Sequence, residues 1–336
     1  MLKRILSRSI PVLIATGLFS VAVRSQTAIT VRILTIQAQQ KPPVTPPADP
    51  LPDERSNLYS KWLEHSIGGV EQQKVAYETA NEFIRKFPTP EDESLQTLRK
   101  WLAKYEKDSL ESALTQSFNA KDMAKTFEAG RKILAAEPEN FRVLSMLVLS
   151  GSTVGRFADS NVNREAADYS RRALKLIEGG KVSDLASFRN EEDATGYLNY
   201  ALGRFLADAS PAEAVQALRK AASSKTSFSQ EPTTYLTLAN ALTVSDYTPI
   251  QAEYEKKYAG KPQNPEGQAL LEKLNRAADR LIDAYARTVA LLTKPGQEAA
   301  KAQLMTPLTN LYKSRNNNSD AGLNELIATV LSKPLP

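Results

Sequence analysis

The sequence predicts an all-α protein built from antiparallel helix pairs. After Asp53, apolar residues recur at the three- and four-residue spacing of helices, and almost no stretch alternates in the way of a β-strand. Short turn sequences such as Gly179-Gly180 and Ser210-Pro211 separate these stretches. Because short connections favour packing between sequence neighbours, we expect successive helices to run antiparallel.

The most clearly delimited of these helices lies near residues 264–294. Asn264 is a good N-cap, Pro265 suits the first turn, and Pro295-Gly296 ends the pattern. The same periodicity predicts helices at residues 55–66, 69–86, 91–117, 121–136, 141–155, 163–178, 191–208, 211–224, 232–244, 297–314 and 320–332.

One predicted helix pair carries a recognisable spacing of small and apolar residues. Its first helix contains Asn199, Leu202, Gly203 and Leu206, and its second contains Ala214, Leu218 and Ala221. This segment resembles a tetratricopeptide repeat, whose first helix has a Leu-Gly pair between a tryptophan and a tyrosine. The Leu-Gly pair and the second-helix residues match. Asn199 and Leu206 replace the two aromatic residues, and the closing proline is displaced to Pro232.

The resemblance implies a right-handed α-solenoid of degenerate repeats over residues 55–244, followed by a helical C-terminal region at 245–336 that caps it. Prolines at 88, 138 and 232 are separated by 50 and 94 residues, which is compatible with a helix-pair unit of 47 to 50 residues. The alternative is an irregular helical bundle in which the motif matches by chance.

In such a solenoid the first helices of successive pairs line a concave surface that binds partners. The resemblance therefore places Tyr197, Tyr200 and Arg204 on a groove for a protein or peptide, since their spacing puts them on one side of the helix. Tyrosine and arginine are enriched at binding hot spots. The alternative is that the two tyrosines pack between helices.

The first 38 residues have the layout of a secretory signal peptide. Basic residues at 3, 4 and 8 precede an uncharged apolar run of 14 residues at 10–23, and no acidic residue occurs before Asp49. A membrane-spanning helix needs about 20 apolar residues, so a cleaved signal fits this run better than a permanent span. We expect a periplasmic or secreted protein. The alternative is an uncleaved membrane anchor formed by residues 10–36.

Two alanines are candidate cleavage positions, Ala22 and Ala38. Ala38 is preferred because Gln39 begins a polar, proline-dense stretch. Between Gln40 and Asp53 there are six prolines, which favour an extended polyproline II conformation. Residues 39–54 are therefore predicted to be a linker, with a ligand for a proline-binding module as the alternative.

The basic character of the chain comes from its N-terminal segment. The formal charge is +5, and five of the 43 basic residues precede Ala38, which leaves 38 basic against 38 acidic residues. No nucleic-acid partner is expected for the remainder. The chain has no cysteine, which excludes disulfides, thiolate metal sites and thiol nucleophiles.

The sequence offers few residues for catalysis. His65 is the only histidine, which argues against a catalytic triad or a multi-histidine metal site and favours a polar role at a helix end. The acidic runs at 91–93 and 191–193 open predicted helices, where negative charge is favourable. Residues 151–155 have Thr153 where a nucleophile elbow needs serine. We expect a binding protein without cofactor, metal or enzymatic activity. The alternatives are a periplasmic ligand-binding protein or an all-α hydrolase that uses carboxylates from separate helices.

Overall fold

The computed structural model describes residues 52–89, 91–153, 160–185, 187–258, 260–261 and 264–336. Within these ranges all regular structure is helical and no strand is present, which confirms the predicted all-α class. The predicted signal segment at 1–38 and most of the linker at 39–54 lie outside the described residues.

The α-helices of the described residues follow one another with short connections. In chain order they are α1 (Pro52–Ser66), α2 (Val70–Lys86), α3 (Glu93–Asn119), α4 (Met123–Ala136), α5 (Phe141–Thr153), α6 (Ser160–Glu178), α7 (Glu191–Leu206), α8 (Pro211–Ser223), α9 (Pro232–Leu242), α10 (Thr248–Tyr258), α11 (Pro265–Leu291), α12 (Glu298–Arg315) and α13 (Leu323–Thr329). Twelve of them match the predicted ranges with ends that agree within three residues. The exception is α10.

The start of α11 confirms the predicted cap Asn264, whose side chain accepts a hydrogen bond from the Gly267 N–H at 2.7 Å. Asn190 caps α7 in the same way and accepts from the Asp193 N–H at 2.8 Å. The acidic run 191–193 forms the first turn of α7, where carboxylates complement the positive end of the helix dipole. Pro52 begins α1, so residues 52–54, at the end of the predicted linker, are helical.

The chain forms two compact units whose boundary falls inside α3, between Ser109 and Leu110. In the first unit α1, α2 and the first part of α3 enclose an apolar core. Its fully or nearly buried residues are Trp62, Ala76, Ala80, Phe83, Phe87, Leu95, Leu98 and Leu102. Trp62 meets Trp101 edge-on, with ring centroids 5.9 Å apart.

In the second unit each helix from α4 to α9 packs on the next one along the chain. The central helix α7 also contacts α5 and α9, the helices two positions away on either side. Beyond them, α11 packs against α9, α10, α12 and α13. Fully buried leucines at 144, 147, 198, 218, 238, 281 and 308 mark the continuous core of this unit.

Among the described helices the most extensive contact is between α7 and α8, the pair whose residue spacing resembles a tetratricopeptide repeat. A Cβ atom on Gly203 would lie 2.3 Å from Cγ of Leu218, so the glycine lets the two helices touch directly. Ala214, Leu218 and Ala221 on α8 are fully buried against this contact. The missing side chain at 203 is therefore a packing requirement, because a methyl group there would overlap its neighbour.

A π-helical segment, Thr243–Tyr247, joins α9 to α10 in one continuous helical run. The Thr248 N–H donates to the carbonyl of Thr243, five residues earlier. In an unbroken α-helix the ring of Pro249 would meet the carbonyl of Ser245. The wider turn carries the helix past this proline into α10, which the sequence analysis did not predict. The predicted division at residues 244 and 245 falls within this run.

Candidate functional site

The three residues predicted to form a groove lie together on one side of α7. Tyr197 and Tyr200 have ring centroids 6.5 Å apart, and Cζ of Arg204 lies 5.4 Å from the centroid of the Tyr200 ring. Their three- and four-residue spacing along the helix accounts for this arrangement. The structure thus brings Tyr197, Tyr200 and Arg204 together.

Three phenylalanines that the sequence reasoning did not select extend this group into an aromatic cluster. The aromatic cluster consists of Phe141, Phe188, Tyr197, Tyr200 and Phe228. Phe228 stacks on Tyr200 at 5.2 Å and meets Tyr197 edge-on at 5.3 Å, while Phe188 lies 5.6 Å from Tyr197. Phe141 continues the row, 6.4 Å from Phe188. Such ring contacts contribute about 0.5–1.5 kcal/mol each beyond the area they bury.

The chain reaches this arrangement because the turn after α8 is fastened to α7. A Cβ on Gly196 would lie 2.6 Å from Oγ1 of Thr226, so the turn approaches α7 where no side chain intervenes. The Lys225 N–H donates to Oε1 of Glu192 at 3.1 Å. These contacts place Phe228, which lies in a 3-10 turn two residues after Thr226, against Tyr197 and Tyr200.

Burial divides the aromatic cluster into a packed part and a surface part. Tyr200 is only 9% exposed, and its hydroxyl lies 3.1 Å from Oγ1 of Thr233 on α9. Tyr200 therefore packs between helices, which was the alternative to lining a groove. Tyr197, Phe188, Phe228 and Arg204 are half-buried, so each presents part of its side chain at the surface.

The electrostatics of the site keep it neutral apart from Arg204. Burial raises the pKa of Tyr197, while a hydrogen bond with Ser152 and the nearby Arg204 charge oppose that rise. The phenol is therefore protonated at neutral pH and available for hydrogen bonding. Arg204 places a planar cation over the Tyr200 face, a geometry in which arginine also stacks on partner groups.

The opposite side of α7 has a different character. There Asn199 and Leu202 border a shallow depression of about 200 Å³ together with residues of α6 and α8. Arg171 on α6 forms a two-pronged ion pair with Glu213 on α8, at 2.7 and 2.8 Å. The hydrogen bonds from Arg171 lower the pKa of Glu213. This side is polar and internally paired, whereas the other side is aromatic.

The remaining predicted features have ordinary structural positions. His65 is half-buried in the last turn of α1, and its Nδ1 lies 2.8 Å from the carbonyl oxygen of Lys61. In the run at 151–155, Thr153 ends α5 and residues 154 and 155 lie outside the described ranges. No group of three or more histidine or acidic residues within the described ranges is placed to hold a metal ion.

Comparisons with protein-family models, with curated proteins and with solved structures give no match for this chain. The resemblance to tetratricopeptide repeats therefore stays a prediction from residue spacing. The feature of this site that bears on function is physical: an aromatic cluster beside one arginine on the surface of α7.

Proposed function

We propose that this protein is an exported helical-repeat scaffold that binds a protein or peptide partner on the face formed by α5, α7 and α9. The contacts of α7 with both α5 and α9 support this proposal. In a right-handed α-solenoid of tetratricopeptide-like repeats these would be first helices of successive pairs, which line the concave surface.

The observation that carries the proposal is the aromatic cluster with Arg204. Half-buried aromatic rings that rest on a buried ring give a rigid apolar surface, and little side-chain entropy is lost when a partner covers it. The guanidinium of Arg204 adds a directional donor for a carbonyl or carboxylate of the partner. Rigid aromatic anchors beside an arginine are typical of binding hot spots.

The carboxylates support binding over hydrolysis. A general acid needs a raised pKa, whereas the pKa values of Glu165 and Glu213 are lowered by hydrogen bonds from Arg131 and Arg171. Burial raises the pKa of Asp283, yet both of its oxygens accept hydrogen bonds from a neighbouring arginine on the same helix. We therefore favour a scaffold without enzymatic activity over an all-α hydrolase.

Export is proposed on the layout of residues 1–38 alone. Among the helices that the structure describes, none has the length and apolar character needed to cross a bilayer. Intact-mass measurement of the mature chain separates the two modes of export. A loss of 22 or 38 residues supports a cleaved signal peptide, and an intact N-terminus supports an anchor at 10–36.

A capture experiment tests the binding proposal. The purified protein, its variant Tyr197→Ala with Arg204→Ala, and a control are immobilised and exposed to extracts of the cell envelope and of the medium. The control, Lys175→Ala with Lys220→Ala, removes two exposed cations from the opposite side of α7. We expect the first variant to lose partners that the wild type and the control retain.

Folding of both variants is checked by circular dichroism, and Arg204→Glu serves as a second variant that leaves the aromatic rings in place. A set of captured partners that is the same for all four proteins would show that the α5, α7 and α9 face is not the binding surface.

A further inference from the structure

The segment Lys333–Pro336 follows the last helical turn and is bound to Arg287 of α11. Nη2 of Arg287 donates hydrogen bonds to the carbonyl oxygens of Lys333, at 2.8 Å, and of Pro334, at 3.0 Å. The backbone of Lys333 has φ −102° and ψ 148°, which is an extended geometry. One guanidinium thus binds two successive main-chain carbonyls, and this contact does not involve the side chains of Lys333 and Pro334.

Arg287 is held rigidly for this contact. Its side chain is 5% exposed, Nε donates to Oδ2 of Asp283 at 2.7 Å, and Cζ lies 5.8 Å from the centre of the Tyr235 ring. A buried guanidinium is unfavourable unless its remaining N–H groups also find acceptors. Asp283 accepts from Nε and Nη2, and the carbonyls of Lys333 and Pro334 also accept from Nη2.

The segment itself is bound on one side only. Leu335 is half-buried and packs on the apolar core, whereas Lys333, Pro334 and Pro336 are exposed. Prolines suit this mode because they have no N–H to satisfy and already favour extended backbone, so little entropy is lost on binding. Two carbonyl contacts and one apolar anchor form a small set of interactions, and such a segment can be replaced by an equivalent one.

We propose that Tyr235, Asp283 and Arg287 form a second binding site, for an extended peptide of the type X-Pro-Leu-Pro, and that Lys333–Pro336 is its built-in, displaceable occupant. This proposal does not rest on the function proposed for the face formed by α5, α7 and α9. The tripeptide Pro-Leu-Pro occurs twice in the chain, at 50–52 and at 334–336, which supplies two natural sequences as probes.

The test measures fluorescence anisotropy of two labelled peptides, Ser-Lys-Pro-Leu-Pro from residues 332–336 and Ala-Asp-Pro-Leu-Pro from residues 48–52. The proteins are the full chain, a variant without residues 333–336, and the full-length variant Leu335→Gln. In the full chain the tethered segment competes at an effective concentration of about a millimolar or more. We expect both peptides to bind the shortened variant at least about tenfold more tightly than the full chain. Their affinity for the Leu335→Gln variant should be intermediate.

Three further measurements decide what is recognised. Peptides in which leucine is replaced by glutamine, and scrambled peptides, are expected to bind at least about tenfold more weakly than the parent sequences, because they lose the apolar anchor. Arg287→Lys in the shortened variant keeps the charge but loses the fork, and is expected to weaken binding about tenfold. The peptide variants give an answer even if this protein variant fails to fold.

The proposal is overturned if the shortened variant and Leu335→Gln are folded by circular dichroism and neither binds the parent peptides. It is equally overturned if scrambled peptides bind as tightly as the parent ones. If the shortened variant does not fold, the Leu335→Gln chain alone decides between binding and no binding.

Discussion

The substitution Gly203→Ala separates the two physical effects that act at the α7 and α8 contact. In an ordinary helix interior, alanine in place of glycine stabilises by about 0.5–1 kcal/mol. Here the new Cβ would lie 2.3 Å from Cγ of Leu218, which is fully buried. Overpacking of a tight core costs about 1–3 kcal/mol, and the overlap here is severe. We therefore expect a net loss of about 2 kcal/mol, or about 4–8 °C in melting temperature for a unit of this size.

Urea unfolding of Gly203→Ala, Leu218→Ala and the double variant measures this effect. Leu218→Ala alone is expected to cost about 2–5 kcal/mol, because it leaves a cavity. In the double variant the new methyl group enters that cavity, so the two losses should fall short of additivity by about 1–2 kcal/mol. Additive losses, or a Gly203→Ala chain as stable as the wild type, would refute the inference that the glycine permits the close contact.

Phe228→Ala removes a half-buried ring that covers Tyr200, and we expect it to lower the free energy of unfolding by about 2 kcal/mol in urea titrations, less than for a fully buried phenylalanine. Tyr200→Phe loses the hydroxyl contact with Thr233 and should cost about 1 kcal/mol in thermal unfolding, and Thr233→Val added to it should cost little more. Glu165→Gln removes the ion pair with Arg131, whose hydrogen bonds hold the pKa of Glu165 below its ordinary value of 4.5. The stabilisation from that pair is present above about pH 4.5 and is lost as the pH falls through the lower folded pKa, so urea midpoints between pH 7 and 3 should fall less steeply for the variant.

The helices were predictable because each buries an apolar stripe at helical spacing, and because a cap such as Asn264 acts through a neighbour three residues away. Local sequence patterns are least reliable at prolines, because proline occurs both in extended linkers and in helices. Pro52 was assigned to the predicted linker and is the first residue of α1, and Pro249 lies inside a continuous helical run that the sequence analysis did not predict.

The candidate site was predictable only in part, for a related reason. The sequence places Tyr197 and Arg204 on one face of α7 by spacing alone. It does not reveal that Phe228, from a polar turn outside any predicted helix, covers Tyr200, since that depends on how the turn after α8 docks onto α7. The available signal was a lone aromatic residue in an otherwise polar turn sequence. Arg287 was missed because a charged residue between apolar helix positions is usually solvent-exposed.

The π-helical segment at 243–247 also affects how the sequence tolerates change in length. Along α9 the buried residues Leu238 and Leu242 are four apart, and the next buried residues, Tyr247 and Ile250, follow after a gap of five. The wide turn absorbs this extra residue and keeps one continuous apolar stripe toward α11. Deleting the exposed Val244 would restore a gap of four, but it would also remove the wide turn that lets the helix pass the ring of Pro249. The length of the chain between Leu242 and Pro249 is therefore constrained twice, by the position of the buried stripe and by the proline.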